Sequence, residues 1–334
     1  MSALAAGSPV RAFGFTAVGQ RDHNEDALLV NQDIGLMVVA DGVGGHQAGE
    51  VASELTCQVL AREIAEGSSL PEAIKVANRD VFDAVAQSLG REGMASTVVA
   101  VHFKGTAWEL AWVGDSRAYL WDGQLGLLSR DHSLVEGLVQ SGQISLEEAR
   151  YHPKKNVIDQ AVGLQGEDNL RVGSNAGVLQ PGQVLLLCSD GLNDVLDSAQ
   201  IAEILASEGT LEEHSQQLVS AAVAAGGRDN TTVILLDVDA NATAGAGVRE
   251  PSFVWRYDPE SNSYAGHPKL KAWANVPPVA AEVADGTLMR KLPEFDRSVS
   301  PTQRIVETLA GRPYLLLGLG VLGLVLLSWL GFML

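Results

Sequence analysis

Cysteine is nearly missing from this chain: Cys57 and Cys188 are its only two. Neither belongs to a short-spaced framework, which argues against a disulfide scaffold and for buried, reduced thiols in a catalytic part that stays in the cytosol. Basic residues are also scarce, with 23 Lys and Arg against 41 Asp and Glu and a net charge of −18. That balance excludes nucleic acid as a partner, because its phosphates would be repelled and its binders carry clustered Lys and Arg. Met1 to Val10 lack a charged stretch followed by a long apolar one, so they do not read as a signal peptide. Apolar residues, at 46%, are plentiful enough for a large core, and the length exceeds one average domain.

Four apolar runs end in, or lead from, an acidic signal: Gly35 to Asp41-Gly42, Trp112 to Asp115-Ser116-Arg117, Val184 to Asp190-Gly191, and Gly226 to Asp229-Asn230 before Thr231. Short runs rich in Val, Leu and Ile read as buried strands, and a carboxylate where a strand leaves the core is costly unless neutralised. Bound cations would neutralise it. No cluster of His or Cys accompanies these aspartates, and oxygen donors alone favour Mg²⁺, Mn²⁺ or Ca²⁺ over zinc or copper. Upstream, Arg21-Asp22-His23-Asn24-Glu25-Asp26 adds carboxylates and a guanidinium able to grip a phosphate with two bonds. Metal ions together with arginine suggest a phosphoester.

Taken in order, Arg21-x-x-Asn24-Glu25-Asp26, Asp41-Gly42-x-Gly44-Gly45-His46, Gly93-x-x-Ser96-Thr97, Gly114-Asp115-Ser116-Arg117, Ser189-Asp190-Gly191-Leu192 and Arg228-Asp229-Asn230-Thr231-Thr232 resemble the PP2C-type (PPM) metal-dependent protein serine/threonine phosphatases, bacterial members included. Each motif alone is weak, whereas six in order over residues 10 to 240 are specific. The resemblance implies an α+β fold, an α-β-β-α sandwich of two antiparallel sheets flanked by helices. It implies two Mn²⁺ or Mg²⁺ ions, Asp41 bridging both, the Gly42 carbonyl completing one shell, and Asp190 and Asp229 holding the other ion. Asp115 with Asp190 would bind a third, weaker ion. Glu25, Asp26 and Asn230 would lie outside the ligands, the two acids orienting water. Arg21 would hold the phosphate, and a metal-bridged hydroxide would attack phosphorus in line. Where some members carry a histidine directly after Asp-Gly, this chain has Val43, which leaves His46 as the candidate general acid beside a metal-bound water.

The implied function is hydrolysis of phosphoserine and phosphothreonine in proteins, with a cognate kinase as a further partner; the alternative is a catalytically inactive, phosphoprotein-binding scaffold of the same fold. The intact aspartate set argues against the scaffold. Gly49 to Ile64 and Leu70 to Leu89 read as helices. Thr97 to Phe103, Ala107 to Val113 and Ala118 to Trp121 read as successive paired strands, the second and third joined by the Gly114 to Arg117 turn. Asp131 to Gly163, with a capping box at Ser145 and Glu148, resembles a flap, and its Lys154-Lys155 pair is either a phosphopeptide contact or a solvated surface pair.

Residues 241–312 are rich in Pro, Gly, Ala and Ser and read as a largely irregular linker, with an aromatic patch around Trp255 and Tyr264 that could form a short hairpin or a docking segment. Tyr314 to Leu334 contains no charged residue and is long enough to cross a bilayer once, so residues 313–334 read as a transmembrane helix. Arg290, Lys291, Arg297, Arg304 and Arg312 all precede it and none follow. The positive-inside rule then gives an inner-membrane, single-pass protein with its catalytic domain in the cytosol.

Overall fold

The structure, a computed structural model, describes residues 9–265 apart from 45–47, 87–92, 146, 147, 150, 165, 167, 168, 241–250 and 262. Its strands explain the continuous apolar runs. In β3 (Leu36–Val43), Leu36, Val38 and Ala40 enter one core while Met37 and Val39 enter another, so both faces are buried and no polar alternation survives.

Two antiparallel sheets result. One runs β1 (Val10–Ala17), β11 (Thr231–Val238), β10 (Val184–Cys188), β7 (Arg117–Trp121), β8 (Leu125–Leu127), β12 (Trp255–Asp258), β13 (Ser263–Ala265). The other runs β2 (Asp26–Asn31), β3, β5 (Val98–Lys104), β6 (Ala107–Val113), β9 (Gly173–Val178), with β4 (Ala95–Ser96) beside β3. Between them lie Met37, Val99 and Trp112 from one side and Leu120, Leu187 and Ile234 from the other. Helices α1 (Ala48–Ala65) and α2 (Leu70–Ala86) cover the second sheet through Leu60, Ile74 and Val81. The short α4 (Asp190–Asn193), α5 (Ser198–Ala206) and α6 (Leu211–Ala224) cover the first through Leu192, Ile201 and Leu218. The layering is the expected α-β-β-α sandwich.

Two expectations need correction. The Gly114–Arg117 turn does not join paired strands: β6 pairs with β5 and β9, whereas β7 pairs with β10 and β8. Gly114, at φ 104°, instead turns the chain out of one sheet and into the other, a conformation open to a residue without Cβ. Periodicity reports that a strand is buried but not which sheet it joins. Secondly, within the stretch expected as a largely irregular linker from 241, the aromatic patch forms the short hairpin β12–β13, which extends the first sheet by pairing at β8. Trp255 and Tyr257 are buried there, and this burial holds the pair in place.

Helix α6 begins at Leu211 behind a capping box of Thr210 and Glu213, and Asp197 with Gln200 does the same for α5. The flap carries α3 (Leu134–Gln140), capped by Ser133, and the expected Ser145–Glu148 box is present, with Glu148 Oε2 accepting from Ser145 N at 2.7 Å. Residues 313–334 lie outside the described residues.

Candidate metal centre

The acidic signals meet along one edge of the sandwich, contributed by both sheets. Asp26 opens β2 and stands in register with Asp41 near the end of β3. Asp190 follows β10 as the first residue of α4, and Asp229 precedes β11. Asp115 sits in the crossover between sheets.

Close backbone approaches set the positions. A Cβ on Gly42 would meet the Gly49 carbonyl at 2.2 Å, so Gly42 is glycine because α1 packs directly on it; its φ lies outside the left-handed region. A Cβ on Gly191 would stand 2.0 Å from the Asn230 oxygen, which ties the Asp190 turn to the Asp229 loop. Asn230 is a three-way clamp. It accepts from Glu25 N at 2.8 Å and donates to the carbonyls of Val18 and His23, each at 2.9 Å. These bonds fasten the loop bearing Arg21, Glu25 and Asp26 to the start of β11. The Asp41 carbonyl accepts from Thr97 N at 2.8 Å, and Thr97 Oγ1 meets Ser116 Oγ at 2.7 Å, linking β3 to the crossover.

The side chains are unevenly satisfied. Asp26 Oδ2 accepts from Thr232 Oγ1 at 2.6 Å and Ser189 Oγ at 2.8 Å, but Asp26 Oδ1 and Asp190 Oδ1 are buried with no hydrogen-bond partner. Burial, then the fields of Asp26, Asp190, Asp115 and Asp229, pushes the Asp41 carboxyl well above its usual range. Burial and then Asp115 push Asp190 the same way. Asp26 is pushed up to about 6 by burial, against the pull of its two hydroxyl donors, and Asp115 up to about 7 by burial and Asp131. Such crowding of half-buried acids is stabilised by cations. Among the described residues no three acidic, histidine or cysteine side chains close around a single point. An ion here would therefore take one or two carboxylates and draw the rest of its shell from backbone carbonyls and water, as Mg²⁺-type ions do. The donor set fits such ions.

Arg21 Nη2 lies 2.6 Å from Asp229 Oδ2, with the guanidinium half exposed. His46 lies outside the described residues. Of the basic pair on the flap, Lys155 is held by Asp194 at 3.1 Å while Lys154 is exposed. Sequence reasoning did not find the hydroxyls of Ser189, Thr232 and Thr97, which support the acids, nor the Arg117–Asp131 fork at 2.9 and 2.7 Å. For Ser189 and Thr232 the signal was adjacency, since Ser189 precedes Asp190 and Thr232 stands within three residues of Asp229, whereas Thr97 reaches Asp41 and Ser116 only through the fold.

Residues 14–224 match the family model described as protein phosphatase 2C. The serine/threonine phosphatase stp of Listeria monocytogenes serovar 1/2a is 36% identical over 233 residues, covering 66% of this chain and 92% of that protein. The serine/threonine phosphatase structure from S. agalactiae superposes with a TM-score of 0.63 at 36% identity, over 69% of this chain and all of that one. The catalytic domain of the serine/threonine protein phosphatase PstP in complex with two manganese ions gives a TM-score of 0.61 at 33% identity, over 69% of this chain and 99% of its own.

Proposed function

The chain belongs to the protein phosphatase 2C family, and from that premise we propose how its own residues remove phosphate from phosphoserine and phosphothreonine in proteins. It is a metal-dependent serine/threonine protein phosphatase. Asp41, the Gly42 carbonyl, Asp190 and Asp229 would hold two Mn²⁺ or Mg²⁺ ions, and Asp115 with Asp190 a third, weaker one. What supports this assignment is the pair of buried, partnerless oxygens, Asp26 Oδ1 and Asp190 Oδ1, within a crowd of acids. When bound, the ions supply Lewis acidity toward the phosphoester and render water nucleophilic near neutral pH.

The protein's part is placement. Glu25 and Asp26 orient water at this edge, Asp26 being held by Ser189 and Thr232. Arg21, half exposed beside Asp229, turns its planar fork onto the substrate phosphate. His46 is the candidate donor of a proton to the leaving seryl or threonyl oxygen. The test is Asp190→Asn together with metal stripping. Both should abolish hydrolysis of a phosphothreonine peptide, and added Mn²⁺ should restore only the stripped wild type. Undiminished turnover by stripped protein would remove the assignment.

We further infer a domain of residues 10–265, a linker, and a single membrane span at residues 313–334 with the phosphatase in the cytosol. The uncharged run from Tyr314 and the basic residues that precede it support this. Among the described residues no helix is long and apolar enough to cross a membrane. An anchored phosphatase would act on substrates near the bilayer, a cognate serine/threonine kinase among them.

A further inference from the structure

Residues 251–261 and 263–265 lie beyond the family match at 14–224, yet β12 and β13 are built into the first sheet. Asn175 donates to the Phe253 carbonyl at 2.9 Å, Gln124 to that of Tyr257 at 3.0 Å, and Arg256 grips Asp122 with two bonds of 2.8 and 2.6 Å. The Tyr264 hydroxyl meets Ser198 Oγ at 2.8 Å, and the rings of Tyr257 and Tyr264 lie 5.7 Å apart.

Between this hairpin and the flap lies a cavity of about 650 Å³ that reaches Asp115 and Asp190. Its lining includes Val135 and Val139 of α3, Leu196 and Ile201, and Tyr257 and Tyr264 of the hairpin. Each of its three basic side chains is already engaged: Arg117 by Asp131, Arg130 by Glu136, Lys155 by Asp194. Each of these cations is matched by its own acid, so an acidic guest would find no ready cation here. An apolar guest gains the walls.

We propose that the β12–β13 hairpin is a substrate-docking wall, and that the cavity takes a large apolar or aromatic side chain of the phosphoprotein close in sequence to the phosphorylated residue. This rests on the phosphatase reading, because the carboxylate edge must seat the phosphate for the cavity to take its neighbour. The tyrosine pair and α3 would close on that side chain from two sides, excluding water.

The test uses full-length, Mn²⁺-loaded protein and four phosphothreonine peptides differing only in Ala, Leu, Phe or Glu at positions flanking the phosphoresidue. At the best position, Leu and Phe should exceed Ala in kcat/KM by roughly tenfold, with Glu below Ala. Tyr264→Ser, or Val139→Ser from the facing wall, should bring the Leu-to-Ala ratio toward one through KM rather than kcat, while Tyr264→Phe keeps it. Peptide binding by fluorescence anisotropy should follow the same order independently of turnover. Equal binding and turnover for all four peptides, a preference for Glu, or a ratio unmoved in both serine variants would overturn the proposal. p-Nitrophenyl phosphate, which has no flanking residues, reports the phosphatase chemistry separately.

Discussion

Stripping the metals should reverse the pH dependence of stability. A carboxyl whose folded pKa is raised stabilises the fold below its unfolded pKa, and that contribution is lost as pH rises through the folded value. Asp115 rises from 3.8 to about 7 and Asp26 from 3.8 to about 6, both chiefly by burial. At about 1.4 kcal/mol per tenfold change, moving from pH 8 to pH 5 returns roughly 3 kcal/mol through Asp115 and roughly 1 through Asp26. Asp41 and Asp190 act in the same direction. About 4 kcal/mol is a large part of a domain's net stability and corresponds to a rise in Tm on the order of 10 °C. With ions bound the slope should be opposite, since protons then compete with metal for the same oxygens. Thermal melts of chelator-stripped and Mn²⁺-loaded protein across this range, at constant ionic strength, read both slopes. If acid destabilises the stripped protein as it does the loaded one, these carboxylates are not crowded and the metal centre is misplaced.

Arg21→Ala should raise KM for phosphopeptides ten- to a hundredfold, as loss of charge-assisted bonds predicts, with little change in Mn²⁺ affinity by calorimetry; Arg21→Lys should rescue poorly because the fork is lost. A drop in Tm at unchanged KM would make Arg21 a structural partner of Asp229 instead. Asn230→Ala leaves three backbone groups without their partner and should cost about 3 kcal/mol in urea unfolding, with activity falling as the Arg21–Asp26 loop loosens. A loss below about 0.5 kcal/mol would mean that water replaces the clamp without penalty. A chain ending at Ala265 should be soluble and active, whereas the full chain should resist carbonate extraction from membranes; a full chain found wholly in the soluble fraction would refute the anchor.

The strand-end aspartates were legible because burial on both faces produces apolar runs and an acid at the end of such a run is conspicuous. Their partners in space were not. Nothing in Trp112–Trp121 distinguishes a hairpin from a passage between sheets, since both require buried strands around a turn, and the choice depends on β10 and β9, far along the chain. Gly42 carries a second constraint besides the metal-facing backbone expected of it, because Gly49 of α1 fills the place of its side chain. The aromatic patch at Trp255 left a short hairpin open, but its place on the first sheet was not legible, because two short strands gain their stability from an existing sheet edge and from burial of Trp255 and Tyr257, neither visible locally.

The crossover at Asp115 places the acidic edge on a seam. Asp26 and Asp41 belong to one sheet and Asp190 and Asp229 border the other, with the bonds from Ser189 and Thr232 to Asp26 already stitching across. Ions held there would act as clasps, so the spacing between the sheets becomes a catalytic dimension. A side chain packed midway through the sandwich, such as Val99 or Leu187, then sets the gap at the reacting edge as firmly as any ligand. Enlarging one of them is a lever on turnover exerted from the dry interior, where a displacement near 1 Å can cost about a hundredfold in rate.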